Sequence, residues 1–289
     1  MASFREYNAK IRQLQNMRRV TLAMKMLATT KLARAQEAMA RAQAFEREWS
    51  ALVHRVAGLG GGGRNPLLKP RERPESAYVL MISSDMGLCG GFNNNLQRTV
   101  AAWLDERRER YRILRFSFCG RKGWQFARDR VEVRSVYENS VRRPDLRLAM
   151  AIGREVFEAY AEGKYDEVFI ARNRYFGPAW QEPMVERILP VDLDAAPPPA
   201  AGASSFVLLE PRPAQLLPEL LARHVGHRIF AALLENASGE HAARMAAMDS
   251  ASKNIDNLCG SYTLLRNRAR QAAITTELIE VVSGAEALR

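Results

Sequence analysis

LQNMRRVTLAMKMLATTKLARAQEAMARAQAFEREWSALVHRV, residues 14–56, contains no proline and no glycine. Stepping alternately by three and four from Leu14 picks out Met17, Thr21, Met24, Ala28, Lys31, Ala35, Ala38, Ala42, Phe45, Trp49, Leu52 and Val56. Only Thr21 and Lys31 interrupt this apolar stripe. A repeat of 3.5 residues sustained over about six heptads is the pattern of a coiled coil rather than of an ordinary globular helix. Gly58 and Gly60 to Gly63 end it. Extended back to the start of the chain, over 1–57, such a helix spans roughly 80 Å at about 1.5 Å per residue.

All 13 prolines lie between Pro66 and Pro218, so both ends of the chain are free of them. Proline inside a helix costs about 3 kcal/mol or more. The C-terminal end repeats the three-four step at Ala231, Leu234, Ser238, His241, Met245, Met248, Ser252, Ile255, Cys259 and Tyr262. Its small residues let two backbones approach closely, although Gly239, Gly260 and Gly284 weaken the pattern. The reading is a second helix from near Pro213 to near the end, roughly 100 Å if continuous. Two ends of one chain joined by a compact middle must pair antiparallel.

The middle alternates. Strands are expected at 77–83, 112–118, 131–137 and 166–172, with an edge strand at 185–189 between Pro183 and Pro190. Helices are expected at 93–110 and 145–162, and a turn at Gly120-Arg121-Lys122-Gly123. Such alternation predicts a mostly parallel sheet. AAPPPAAGASS, 195–205, reads as a loop or linker. The expected organisation is therefore an α/β chain: a shaft helix over 1–57, a Rossmann-like head over 76–195 inserted between the ends, and a second shaft helix over 210–287.

The segment VLMISSDMGLCGGFNNN, 79–95, runs from strand through glycines into helix, the arrangement that cradles phosphates. It does not fit G-x-G-x-x-G and lacks the Lys-Ser/Thr pair of a P-loop. Position 92 is Phe and position 93 is Asn. No acidic residue ends the next strand to meet a ribose. A tight structural turn is the simpler reading, and a nucleotide-binding α/β protein with a coiled-coil stalk is the alternative. His54, His224, His227 and His241 all fall in the shaft, and no ligand set completes the His224/His227 pair, so no metal or other cofactor is expected.

Net charge is +11 and the pI is near 9.9, but aromatics are 8% and do not interleave with basic runs. Nucleic acid is one possible partner for that charge, acidic protein or anionic lipid another. No run approaches the roughly 18 apolar residues of a membrane span. MASFREYNAK has no signal-peptide core, and Cys89, Cys119 and Cys259 read as reduced thiols.

EHAARMAAMDSASKNIDN with RNRARQAAITTELIEVVSGA, AKIRQLQNMRRVTLAMKMLATTKLARAQ, SSDMGLCGGFNNNL, GRKG at 120–123 and Glu210-Pro211 together make the chain resemble the gamma subunit of F-type ATP synthases over essentially its whole length. The resemblance implies a non-catalytic rotor shaft. It would turn inside the alpha3beta3 hexamer and couple ion flow through the membrane c-ring to cycling of the catalytic beta subunits. It implies no bound cofactor, contacts with the epsilon subunit, no nucleic acid, and a peripheral place on the cytoplasmic face of a bacterial inner membrane. It would put Arg270, Gln271, Thr275 and Glu277 against a beta-subunit loop, with Met24 and Lys25, beside Arg18 and Arg19, in the facing segment. Lys31, Arg34, Phe206 and Leu209 would lie at the foot near the c-ring and epsilon subunit. Leu22 and Met86 depart from the family's usual residues, as does the Gly60–Gly63 run.

Overall fold

The computed structural model describes residues 4–59, 66–191, 210 and 212–287. The Gly60–Gly63 run, the 195–205 segment, Phe206 and Leu209 lie outside them. Two helices dominate, α1 (Phe4–Leu59) and α5 (Pro213–Ala287), and both run through the two compact units into which the chain divides. Residues 1–29 and 244–289 make one unit, and residues 30–243 make the other.

In the first unit the helices are antiparallel. Arg18 Nε meets Asp256 at 2.5 Å, and Lys25 Nζ meets Asp249 at 2.6 Å. The hydroxyls of Thr21 and Ser252 are 2.9 Å apart between those pairs. Ile11 and Ala28 are buried on the same seam, and Tyr7 lies against Tyr262 with ring centroids 6.3 Å apart.

The α5 stripe read from sequence lies at buried or half-buried positions throughout. The α1 stripe is half displaced. Met17 and Phe45 are each 50% exposed, and Leu52 and Lys31 are exposed as well. The buried faces instead take Leu32 and Val53, with the paired Arg18, Lys25 and Glu46 in the same alternate positions. Both registers share Leu14, Thr21, Ala28, Ala35, Ala42, Trp49 and Val56. They differ by one residue at every second step. Met24 and Ala38 of the first register stay half-buried, while ion pairs across the helices engage Arg18, Lys25 and Glu46 of the second.

In the second unit a five-stranded sheet has the order β3-β2-β1-β4-β5. Its strands are β1 (Ser76–Ile82), β2 (Ile113–Cys119), β3 (Glu132–Tyr137), β4 (Glu167–Gly177) and β5 (Trp180–Leu189). The first four are parallel and β5 is antiparallel to β4. Three helices accompany them: α2 (Phe92–Arg107), α3 (Arg121–Ala127) and α4 (Leu146–Ala161), the last capped by the Asp145 side chain. β5 begins five residues before the expected edge strand and carries Pro183 within it. A proline is tolerated there because an edge strand leaves one row of amides without a ladder partner. The expected turn at Gly120–Gly123 instead opens α3.

β1 is buried along its whole length. Tyr78, Leu80 and Ile82 join a core with α4, α1 and α5 residues such as Ile152, Val53 and Leu221, while Ala77, Val79 and Met81 join Leu96, Val100 and Phe116 on the other face. This two-sided burial is why the strand reads as a continuous apolar run.

Charged side chains also tie sheet to helices. Arg172 on β4 donates to Glu235 on α5 at 2.5 Å and to Glu186 on β5 at 2.9 Å. Arg228 on α5 donates to Glu186 and, at 3.2 Å, to Glu46 on α1. Gln43 on α1 reaches Glu235 at 3.4 Å.

Candidate functional site

The glycine loop stands at the carboxyl ends of the parallel strands, where open α/β sheets take ligands. Here the chain occupies that place with its own groups. Asn236 on α5 donates to the Ser83 carbonyl at 3.1 Å, and Asn173 donates to the Phe92 carbonyl at 3.2 Å. A Cβ on Gly239 would stand 2.9 Å from the Phe92 ring, so α5 lies directly on the start of α2. Within the loop, Ser84 N and Oγ bond the Asn93 side chain, and the Phe92 amide donates to Cys89 O. The Asp85 carboxylate accepts from the Arg121 amide at 3.2 Å, which places an acid beside any entering anion. These contacts give the glycines a packing role. Met86 and Leu88 project from the loop, 47% and 61% exposed.

The residues singled out by resemblance fall in separate places. Arg270, Gln271, Thr275 and Glu277 are exposed on α5. Thr275 Oγ1 bonds the Gln271 carbonyl at 2.9 Å, so that hydroxyl is held along the helix. Met24 and Lys25 are half-buried on α1. Lys25 is committed to Asp249, whose carboxyl is held down at about 2 by hydrogen bonds from Lys25 and Lys253. Asp249 and Arg270 are separated by about 30 Å of helix, so these two groups do not form one cluster. Lys31 and Arg34 are exposed on the part of α1 that belongs to the second unit.

The last described turns of α5 carry a run of exposed apolar side chains. Ile274, Leu278, Ile279, Val281 and Val282 are 49–69% exposed. In the register of Arg18 with Asp256 and Lys25 with Asp249, the start of α1 lies opposite about residue 270. Among the described residues nothing covers α5 beyond that point.

A family model described as ATP synthase matches residues 3–288. The ATP synthase gamma chain of Geobacter sp. (strain M21) is 38% identical over 289 residues, covering all of both chains. The chain belongs to the ATP synthase gamma chain family. That of Anaeromyxobacter sp. (strain Fw109-5) is 40% identical over 294 residues, again over the whole of each. Among solved structures, a chain of the Euglena gracilis mitochondrial ATP synthase OSCP/F1/c-ring assembly superposes with a TM-score of 0.67 at 19% identity, covering 99% of this chain and 94% of that one. A chain of the Tetrahymena thermophila mitochondrial ATP synthase central stalk and c-ring gives 0.61 at 22% identity, covering 81% and 99%. The gamma chain fold is thus an α/β sheet domain carried on long terminal helices.

Sequence reasoning did not single out His224 for its burial. It is 7% exposed on α5, and its Nδ1 has no hydrogen-bond partner. Burial, then the charges of Arg228, His54 and His227, lower its pKa from 6.5 to about 3. Between those values the unfolded chain takes up a proton that the folded chain refuses, so this group's contribution is intact above 6.5 and lost as pH falls toward 3. Replacing His224→Leu should flatten the decline in urea midpoint between pH 7 and pH 5. An unchanged slope would show that other groups set it.

Proposed function

We propose that this chain is the central rotor shaft of an F-type ATP synthase. It would turn within a hexamer of alpha and beta subunits and drive the catalytic beta subunits through their conformational cycle. The observation that carries the reading is the bare apolar end of α5. An exposed apolar helix with no cover among the described residues needs an apolar seat elsewhere, and a seat that grips it without ion pairs lets it turn. The Gln271–Ala287 stretch holds only three carboxylates and no basic residue, which suits such a bearing.

In this role the chain performs no chemistry and holds no cofactor. Catalysis belongs to the beta subunits, and their differing contacts with an asymmetric shaft make the three sites unequal. Arg270, Gln271, Thr275 and Glu277 would meet a beta-subunit loop, Arg270 and Glu277 through charge-assisted hydrogen bonds. Met24 and the neighbouring basic face of α1 would meet other beta contacts. Lys31 and Arg34, with Phe206 and Leu209, would serve the foot at the epsilon subunit and c-ring. No described helix is long and apolar enough to cross a membrane, in keeping with a peripheral place on the cytoplasmic face of a bacterial inner membrane.

Co-expression with the alpha and beta subunits of the same organism tests the proposal. The expected result is stoichiometric co-elution with the hexamer and an ATPase rate that depends on the chain. Deleting 271–289 should preserve co-elution while lowering turnover several-fold. A chain that stays monomeric and leaves hexamer turnover unchanged would sink the reading.

A further inference from the structure

The five charges that join sheet to helices form one alternating line: Glu235, Arg172, Glu186, Arg228, Glu46. They come from α5, β4, β5, α5 again and α1, so every link but one crosses between a helix and the sheet or between two strands. Arg172 and Glu235 are both 8% exposed, and Arg228 and Glu186 are partly covered. Burial pushes the Glu186 carboxyl up, but Arg228 and Arg172 more than reverse it and keep it ionised.

Buried ion pairs contribute little net stability compared with apolar side chains of the same size. They do something apolar packing cannot. Apolar contacts are non-directional and let a helix roll or slide against a sheet at small cost. Forked guanidinium–carboxylate bonds are directional and fail when either partner rotates away.

Resting on the rotor reading above, we propose that Arg172, Glu186, Arg228, Glu235 and Glu46 are positioning residues that fix the angle between the sheet domain and the two helices it rides on. They make this part of the shaft torsionally stiff. Arg172 and Arg228 are the two joints of the line. Each holds a strand and a long helix at once, and Arg228 brings in the second helix through Glu46.

The test is rotation of the assembled complex of this chain with its own alpha and beta subunits, driven by ATP. A bead is attached to the sheet domain through Lys164→Cys, and the spread of its angle during each catalytic pause reports stiffness. Two variants are compared with the parent: Arg172→Met/Glu235→Leu, which replaces the buried pair by apolar side chains, and Arg228→Gln, which cuts the other joint. The expected result is a pause-angle variance about twofold larger in each, with ATPase turnover at saturating ATP unchanged. The apolar pair should also keep the thermal midpoint near that of the parent, which separates stiffness from stability. Unchanged variance in both variants, whatever the midpoint does, overturns the proposal. A parent complex that turns over ATP but never rotates the bead overturns the rotor reading itself and this inference with it.

Discussion

Gly120→Ala is expected to destabilise the sheet domain by about 4 kcal/mol, the combined order of backbone strain and overpacking. Gly120 links β2 to α3 with φ +94° and ψ 140°, a region closed to residues with a side chain. A methyl there would also stand 2.6 Å from the Ser83 carbonyl oxygen and 2.9 Å from its carbon. Both are backbone atoms at the end of β1, so no rotamer change relieves the contact. Ser83 is tied on every side: its amide donates to Cys119 O, its Oγ accepts from the Gly123 amide, and its carbonyl accepts from Asn236. Moving Ser83 therefore disturbs the seat of α5. Urea unfolding followed by Trp fluorescence should show the shift in midpoint. A loss below about 1 kcal/mol would mean that the β1–β2 ends shift apart at little cost.

Arg172→Ala should cost about 3–5 kcal/mol, because it strands a carboxylate in the interior rather than merely deleting a bond. Without the guanidinium, the buried Glu235 keeps, among the described residues, the 3.4 Å contact from Gln43, while Glu186 retains Arg228. The double variant Arg172→Ala/Glu235→Ala removes the stranded charge as well. It should be more stable than Arg172→Ala alone, a coupling that the four-variant cycle of urea midpoints measures directly. Additive losses would show that the two side chains act independently.

The secondary structure of the sheet domain was largely legible because its signals are local. A short unbroken apolar run such as AYVLMIS, leading into glycines, reads as a strand buried on both faces, and Asp145 before a periodic stretch marks a helix start. The register of α1 was half legible. Met17 and Phe45 outweigh Arg18 and Glu46 on any hydropathy scale, and only the partners Asp256 and Arg228, far along the chain, reverse the choice. The charged line was not legible at all. Its members at 46, 172, 186, 228 and 235 have no spacing in common and look like surface residues until the strands and helices assemble. The glycine loop lay between these cases. Its missing lysine and hydroxyl argued against phosphate, but the filling of the strand ends by Asn236 and Gly239 needed the fold.

The pairing of α1 with α5 also sets an order of events at the ribosome. Thr21 and Ser252 meet across 231 residues of sequence, and Lys25 and Asp249 across 224. The parallel strands of the sheet pair over far shorter separations, as Ser76 does with Ile113. Chain closure over long separations is slow, and α1 leaves the ribosome long before its partner exists. A chain truncated before α5 thus leaves the first part of α1, residues 4–29, without the helix that pairs with it. Pairing of residues 4–29 with α5 therefore has to wait until nearly the whole chain has been made, and until then that segment is open to misassembly.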